Sequence, residues 1–439
     1  MGAPEASARD AFEGWAPEAQ AALVDAKLRA LVQLAVAQAP LYRQLWGPNQ
    51  TFGGLIDLSR LPLLTKDAWV AASPPRSSDA LTGPLADAVV FRSGGSTGEP
   101  KFSVYSHGEF AGCMPLFART YRAAGLRPGD RVANLFASGG LYASFSFVNR
   151  LLETLGCLSF PYTAAADAEV VADGCARFGI DVLVGFPSRL LQVAPALQAR
   201  GVSIAKVFYA GEHLHPDDRR HLTEALGCTV IASAGYGAVD SGLMGHACEA
   251  RAGGFHHVLA DHVVVEVVDP ATGLARPPGE PGALVVTNLD RHLQPVIRYV
   301  IGDEGRLVPE ACPCGRTTPV FELLGRADEA LRLGYATVLR AEVLAAFADE
   351  PAVGQAVQLV KQRHDGREAL LVRVEVPDAA REPGLQARLE AAVLRAKPDV
   401  AKLIAAGSLA PLAVVLLAPG GIPLAPVTGK FKGTVDETL

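Results

Sequence analysis

Residues 17 to 38 place Ala, Leu and Val at helical spacing and stop short of Pro40, which predicts a long helix near the start of the chain. Between about 110 and 240 the pattern changes to short apolar runs separated by helical stretches. Arg131 to Phe136, Val182 to Gly185 and Ala205 to Tyr209 read as strands, and Asp217 to Leu226 as one of the helices. Strands alternating with helices predict a largely parallel α/β sheet. From about 262 to 310 the rhythm becomes strands with tight turns, starting with His262 to Val268 and Gly282 to Thr287. That is a smaller, β-rich layer. Beyond Gly325-Arg326-Ala327-Asp328 lies a segment of about a hundred residues, the scale of a small domain. It holds a helix over Ala341 to Ala348, a hairpin of Ala356–Lys361 and Ala369–Val376 around Asp365-Gly366, and a helix over Leu385 to Arg395. The expected fold class is α/β. A large N-terminal domain (1–326) carries mostly parallel sheet layers and the β-rich layer, and a small mobile α+β domain (327–439) follows. No internal repeat or low-complexity tract is present.

Composition narrows the function classes. At 439 residues the chain exceeds one ordinary core, and 49% hydrophobic residues supply enough material for several. A net charge of -6 without a Lys/Arg cluster argues against a nucleic-acid partner. The opening MGAPEASARD has no apolar h-region, and Ala6 fails the myristoylation pattern. Leu409 to Ala418 is broken by Pro411 and too short to span a bilayer. The expectation is a cytoplasmic protein without a membrane partner. Seven cysteines make a disulfide framework an unsuitable reading. Cys113, Cys157, Cys175 and Cys228 sit among apolar neighbours and read as buried thiols.

The candidate chemistry centres on Ser93-Gly94-Gly95-Ser96-Thr97-Gly98-Glu99-Pro100-Lys101. Its glycines leave backbone N–H groups uncovered and its hydroxyls add donors, as a phosphate-wrapping loop requires. The spacing fits neither G-x-x-x-x-G-K-[ST] nor G-x-G-x-x-G. Ala88 to Phe91 before it and Lys101 to Ser106 after it are strand-like, so no helix starts there. A loop between two strands with Lys at its end suits gripping the phosphates of ATP. The plainer alternative is a turn.

Four further stretches come in order: Tyr236-Gly237-Ala238-Val239-Asp240, Arg298-Tyr299-Val300-Ile301-Gly302-Asp303, Gly325-Arg326-Ala327-Asp328 and Thr428-Gly429-Lys430. With the Ser93 loop they resemble the adenylate-forming superfamily of acyl-CoA synthetases. Ala39-Pro40-Leu41-Tyr42-Arg43, Leu61-Pro62-Leu63-Leu64-Thr65-Lys66 and Cys312-Pro313-Cys314-Gly315-Arg316 are similar to its phenylacetate–CoA ligase branch.

The resemblance implies a two-step reaction. A carboxylate attacks the α-phosphorus of ATP to give an acyl-adenylate and pyrophosphate, and a thiol, usually of coenzyme A, then displaces AMP. In that scheme Ser93 to Lys101 holds the β- and γ-phosphates, and Lys430 places a cation where two anions meet. Asp303 binds the ribose hydroxyls, Tyr236 lies against adenine, and Asp240 helps hold Mg²⁺. Gly211-Glu212, Gly237 and Arg326 count among the nucleotide positions, and Asp328 is the interdomain hinge. Arg298 and Arg316 are looser candidates. Val239, Asp240 and Val300-Ile301 depart from the family residues Thr or Ser, Glu, and Arg-Thr, and Leu333 to Thr337 matches the thiol-tunnel glycine loop only loosely.

Each residue also has a plainer reading: Asp303 a turn former, Lys430 a solvated tail charge beside Lys432, Tyr236 a core aromatic, His107 a structural histidine after a strand.

Cys312-x-Cys314, with Cys248 and either His256 or His257, supplies enough ligands for a four-coordinate structural zinc, as the resembling branch has. Strand register favours His257. Reduced thiols and surface histidines are the alternative. The resemblance thus implies an enzyme using ATP, Mg²⁺, a small aromatic or aryl-acetic acid and coenzyme A, with a homodimer entertained as its assembly. Phe136 to Tyr142 and Ala232 to Gly235 are the expected lining of the acid pocket. The rivals are transfer to an amine or carrier-protein thiol, and a silent nucleotide- and zinc-binding paralogue.

Overall fold

The computed structural model describes residues 12–47, 51–93, 101–211, 214, 216–248, 250–326, 330–333, 336–364, 367–378, 381–424 and 431–437. The chain divides into two compact units, Met1–Leu324 and Gly325–Leu439.

In the first unit the long helix runs from Pro17 to Gln38. Proline at its first position costs no helical hydrogen bond, and Ala39 is extended as the residue before Pro40 must be. The strands β1 (Ala88–Arg92) and β2 (Phe102–Ser106) form an antiparallel pair on either side of the Ser93–Lys101 segment. Next come β3 (Arg131–Asn134), β4 (Leu158–Phe160), β5 (Val182–Gly185), β6 (Lys206–Tyr209) and β7 (Val230–Ser233), all parallel in the order β4-β3-β5-β6-β7.

Successive side chains of these strands point to opposite faces, and both faces are covered. Val132, Val182, Val184 and Phe208 pack with helices Met114–Ala123 and Ala143–Leu155. Ala133, Leu183 and Val207 pack with Ala168–Phe178, Pro187–Ala199 and Pro216–Leu226. Burial on both sides explains why the sequence there shows continuous apolar runs rather than alternation.

The β-rich layer is a seven-stranded sheet. Its strands are β8 (Tyr236–Ala238), β9 (Gly242–Cys248), β10 (Arg251–Val258), β11 (Val263–Val268), β12 (Gly282–Asn288), β13 (Val296–Leu307) and β14 (Val320–Arg326). Their order is β11-β12-β13-β14-β10-β9-β8. The long helix lays Leu28, Leu31, Val32 and Ala35 on this layer, against a core that includes Val263, Leu284, Val286 and Phe321. Fully burying each leucine contributes about 1.5–3 kcal/mol.

The second unit contains the hairpin β15 (Ala330–Leu333) and β16 (Ala336–Leu339), then β17 (Val357–His364) paired antiparallel with β18 (Arg367–Glu375). Two strands that the sequence pattern did not announce complete its sheet. β19 (Ala413–Leu417) runs parallel to β18, and β20 (Thr434–Asp436) parallel to β17. Helices Arg340–Ala346, Leu385–Ala396 and Pro398–Ala405 share its core. Among the described residues no helix is long and apolar enough to cross a membrane.

Candidate active site

The β1–β2 pair places the ends of the Ser93 segment side by side, with Ser93 N–H donating to the Lys101 carbonyl at 2.9 Å. Arg92 N–H donates to the Leu141 carbonyl at 2.8 Å and its side chain reaches Tyr142. The stretch expected to line an acid pocket, Phe136 to Tyr142, therefore ends beside the expected phosphate loop. Ser93 Oγ is buried and has no hydrogen-bond partner among the described residues.

Period-two alternation decides which side chains meet beyond the loop. Lys101, Ser103 and Tyr105 share one side of the chain along β2, and all three reach the segment after β8. Lys101 pairs with the Asp240 carboxylate, Ser103 Oγ donates to Asp240 Oδ1 at 3.1 Å, and Tyr105 Oη donates to the Val239 carbonyl at 2.7 Å. Tyr299 of β13 closes the cluster. Its hydroxyl accepts from Lys101 Nζ at 2.8 Å and donates to Asp240 Oδ2 at 3.2 Å. Asp240 is only 1% exposed, so a carboxylate here depends on these donors. The backbone carbonyl of Asp240 accepts from Arg291 Nη1 at 2.8 Å. Gly237 is required upstream, because a Cβ there would lie 2.7 Å from the Gly242 carbonyl oxygen.

Strand β13 is held by the Leu61–Lys66 stretch. Thr65 caps helix Lys66–Ala72, and Leu64 exchanges backbone bonds with Arg298 and Val300 on either side of Tyr299. Arg298 is no nucleotide ligand here. It is buried on a bidentate ion pair with Glu266 and donates to the carbonyls of Ser59, Leu61 and Gly273. Arg316, the other loose candidate, is paired with Glu13.

Asp303 does not follow a turn, as its Gly-Asp sequence suggests. It lies in a bulge: two steps along β12, Val285 to Ala283, face four along β13, Val300 to Glu304. Gly302, at φ 90°, takes a backbone conformation that favours glycine. Bulges re-aim side chains, and this one sends Asp303 to the hydroxyl of Tyr236, which donates to its Oδ2. The Tyr236 ring rests against His256 and Phe321.

A second cluster lies on the same sheet. His257, Cys312 and Cys314 offer Nε2 or Nδ1 and two Sγ atoms within 4.8 Å of one another, and Cys314 Sγ is 3.3 Å from His257 Nε2. His257 Nδ1 faces Thr318 Oγ1 at 3.2 Å. His256 points elsewhere, to the Gly254 carbonyl at 2.9 Å. Two soft thiols and an imidazole are the donor types that zinc takes. Behind them His246 stacks on His257, and Glu13 receives Arg316 at 3.0 Å with Arg119 and His246 each at 3.4 Å. Burial alone would raise the Glu13 carboxyl, but the contacts with His246 and the Arg119 and Arg316 guanidiniums outweigh it and hold it at about 2.

Beside Arg291 opens a cavity of about 540 Å³, lined in part by Tyr105, Cys113, Phe117, Phe147, His262 and Asp290. Burial pushes the Cys113 thiol up to about 12. Cys175 and Cys228 are buried as expected, whereas Cys113 and Cys157 are only partly so; all four are unpaired.

Residues 16–289 match the family model described as AMP-binding enzyme, well over half of the chain. The chain belongs to the AMP-binding enzyme family. Within this family it falls in the phenylacetate–CoA ligase-like branch of adenylate-forming ligases. A phenylacetate-coenzyme A ligase of Thermus thermophilus is 30% identical to it, over 94% of this chain and 96% of that one. A phenylacetate-coenzyme A ligase of Escherichia coli is 25% identical over 82% of this chain and 83% of its own length. Among solved structures, a 2-hydroxyisobutyryl-CoA ligase in complex with R3-HIB-AMP shares the fold, with a TM-score of 0.76 at 22% identity over 99% of this chain and 94% of that one.

For this AMP-binding enzyme the structure pairs Lys101 with Asp240 and Tyr236 with Asp303, and sets Ser93 beside Lys101. Gly211 lies two residues past β6 with φ 78°. Gly94, Gly95, Ser96, Thr97, Gly98, Glu212, Asp328 and Lys430 lie outside the described residues, as do the side chains of Cys248 and Arg326. Sequence reasoning missed Ser103, Tyr299 and Arg291. Tyr299 stood inside a recognised motif and Ser103 two residues past Lys101, so alternation alone could have found Ser103. Arg291 gave no signal.

Proposed function

We propose that this enzyme activates a small carboxylic acid with ATP, forming an acyl-adenylate and pyrophosphate, and transfers the acyl group to coenzyme A with release of AMP. The observation that carries the reading is the meeting of three sequence-distant stretches on one carboxylate. Lys101 from the end of the glycine-rich loop, Ser103 and Tyr299 all bond to Asp240. An ammonium held by a carboxylate and a phenol is a cation kept in place until an anion with more charge arrives. Triphosphate is such an anion, and positioning plus charge neutralisation is most of what phosphoryl-group chemistry asks of a protein.

The remaining roles belong to the same proposal. Asp240 presents a hard oxygen of the kind magnesium takes, and Mg²⁺ arriving with ATP would compete there with Lys101. Asp303 would accept from the ribose hydroxyls and Tyr236 would border adenine. Gly94 to Gly98 would wrap phosphates, with Gly211, Glu212, Gly237 and Arg326 around the nucleotide. Lys430 would supply the cation where carboxylate and α-phosphate meet, and the 327–439 lid would turn about Asp328 between the half-reactions. His257, Cys312 and Cys314, joined by Cys248, would hold a structural zinc, since a closed set of thiolates and imidazole leaves no open position for substrate. The acid class that best fits the relatives' names is aryl-acetic.

The test is pyrophosphate release against a panel of carboxylic acids, with and without coenzyme A. Acid-dependent release that coenzyme A accelerates is expected. No release with any acid would refute adenylation, and release indifferent to coenzyme A would turn the reading towards an amine or a carrier-protein thiol as acceptor.

A further inference from the structure

Arg291 carries a guanidinium cation and is only 2% exposed. Buried charges are ordinarily paired, as Arg298 is with Glu266. Among the described residues Arg291 has no carboxylate partner, and its bonds there go to neutral acceptors: Nη1 to the Asp240 carbonyl at 2.8 Å, and Nη2 to the Val104 carbonyl at 2.8 Å and Gln294 Oε1 at 3.3 Å. Its guanidinium lies over the Tyr105 ring, 3.7 Å from the centroid, and its Nε has no partner among the described residues. Such a group costs stability, so its bonds call for a functional reason.

The acceptors supply one. Val104 lies on β2 between Ser103 and Tyr105, and Gln294 also takes the Val104 N–H at 2.7 Å. Asp240 is the carboxylate on which Lys101 and Ser103 converge. One rigid guanidinium therefore fixes, from behind, the separation between the strand carrying Lys101 and the loop carrying Asp240. The planar fork makes these bonds with little loss of rotamer freedom, which a lysine could not match.

We propose that Arg291 is the positioning residue of the reaction centre: it holds Asp240 and the Lys101–Ser103 strand in one frame. The proposal rests on the adenylation reading for its kinetic consequence, but not for its structural one. The experiment uses the full chain with Arg291→Lys, Arg291→Met and Arg291→Ala. Pyrophosphate release by Arg291→Met should fall by about a hundredfold in kcat, the cost of roughly 1 Å of misplacement, with KM for the acid unchanged. Arg291→Lys, which keeps charge and bulk, should recover only part of that loss. Guanidinium added to Arg291→Ala should restore turnover, since the adjoining cavity opens a route to the vacated position. A crystal structure of Arg291→Lys should show Asp240 withdrawn from Ser103 and Tyr299. Native-like turnover in Arg291→Met, or Asp240 still bonded to both partners in that crystal structure, would overturn the proposal. A native chain that releases no pyrophosphate with any acid sinks the adenylation reading instead, and the crystal structure still decides the role of Arg291.

Discussion

Replacing Tyr299 by Phe removes one oxygen and leaves the ring, which is 1% exposed and packed 5.7 Å from Trp69. The oxygen sits between two charges, accepting from Lys101 Nζ at 2.8 Å and donating to Asp240 at 3.2 Å. A hydrogen bond to a charged partner contributes about 1.5–3 kcal/mol. The two do not add, because Lys101 and Asp240 keep each other and Asp240 keeps Ser103. A net loss of about 2 kcal/mol is the reasonable value. If the same tether aims Lys101 at phosphate in the transition state, about 2 kcal/mol corresponds to a fall of roughly 30-fold in kcat. The assay pairs a urea midpoint for stability with pyrophosphate-release kinetics for kcat and KM of ATP. A kcat drop without a matching rise in KM locates the effect in the transition state. Tyr299→Phe with native stability and kcat within roughly twofold of native would show that the hydroxyl holds nothing that matters.

Lys430→Ala should slow adenylate formation by roughly 10²–10³-fold, as loss of an oxyanion donor does, while ATP binding stays near native; normal pyrophosphate release would shift the role to Lys432. Protein prepared without chelator should contain about one zinc per chain by metal analysis. Cys314→Ser should lose the zinc and lower the melting temperature without altering the chemistry of the remaining folded enzyme, and a metal-free native protein would end this assignment. Asp328→Pro should restrict the backbone and impair one half-reaction more than the other, measured as adenylate formation and as acyl transfer from preformed adenylate. Equal effects on both would remove the pivot role.

Local periodicity made much of the fold legible. Pro17–Gln38, the β17–β18 hairpin and the β5 and β6 strands all appear where hydrophobic spacing put them. The strands β19 and β20 were not legible, because parallel pairing with residues far away in sequence leaves no turn signal behind. The same limit shaped the reading of the site. Motif order located Asp240, Tyr236 and Asp303, but a Gly-Asp pair looks like a turn until the register of β12 against β13 reveals a bulge. Arg298 looked available because its charge is visible in sequence and its partner Glu266, on another strand, is not. Arg291 was missed for the converse reason, since its acceptors are backbone carbonyls and carry no residue identity at all.

The alternation along β2 bears on how this chain can vary in length. Lys101, Ser103 and Tyr105 reach the Val239–Asp240 segment because they are two residues apart. A residue gained or lost between Lys101 and Tyr105 would swing part of this set to the opposite side of the strand. The same change upstream of Lys101 leaves the set in phase with its partners. Insertions and deletions among descendants of this sequence should therefore be purged over the five residues from Lys101 to Tyr105, where the count of residues matters as much as their kind.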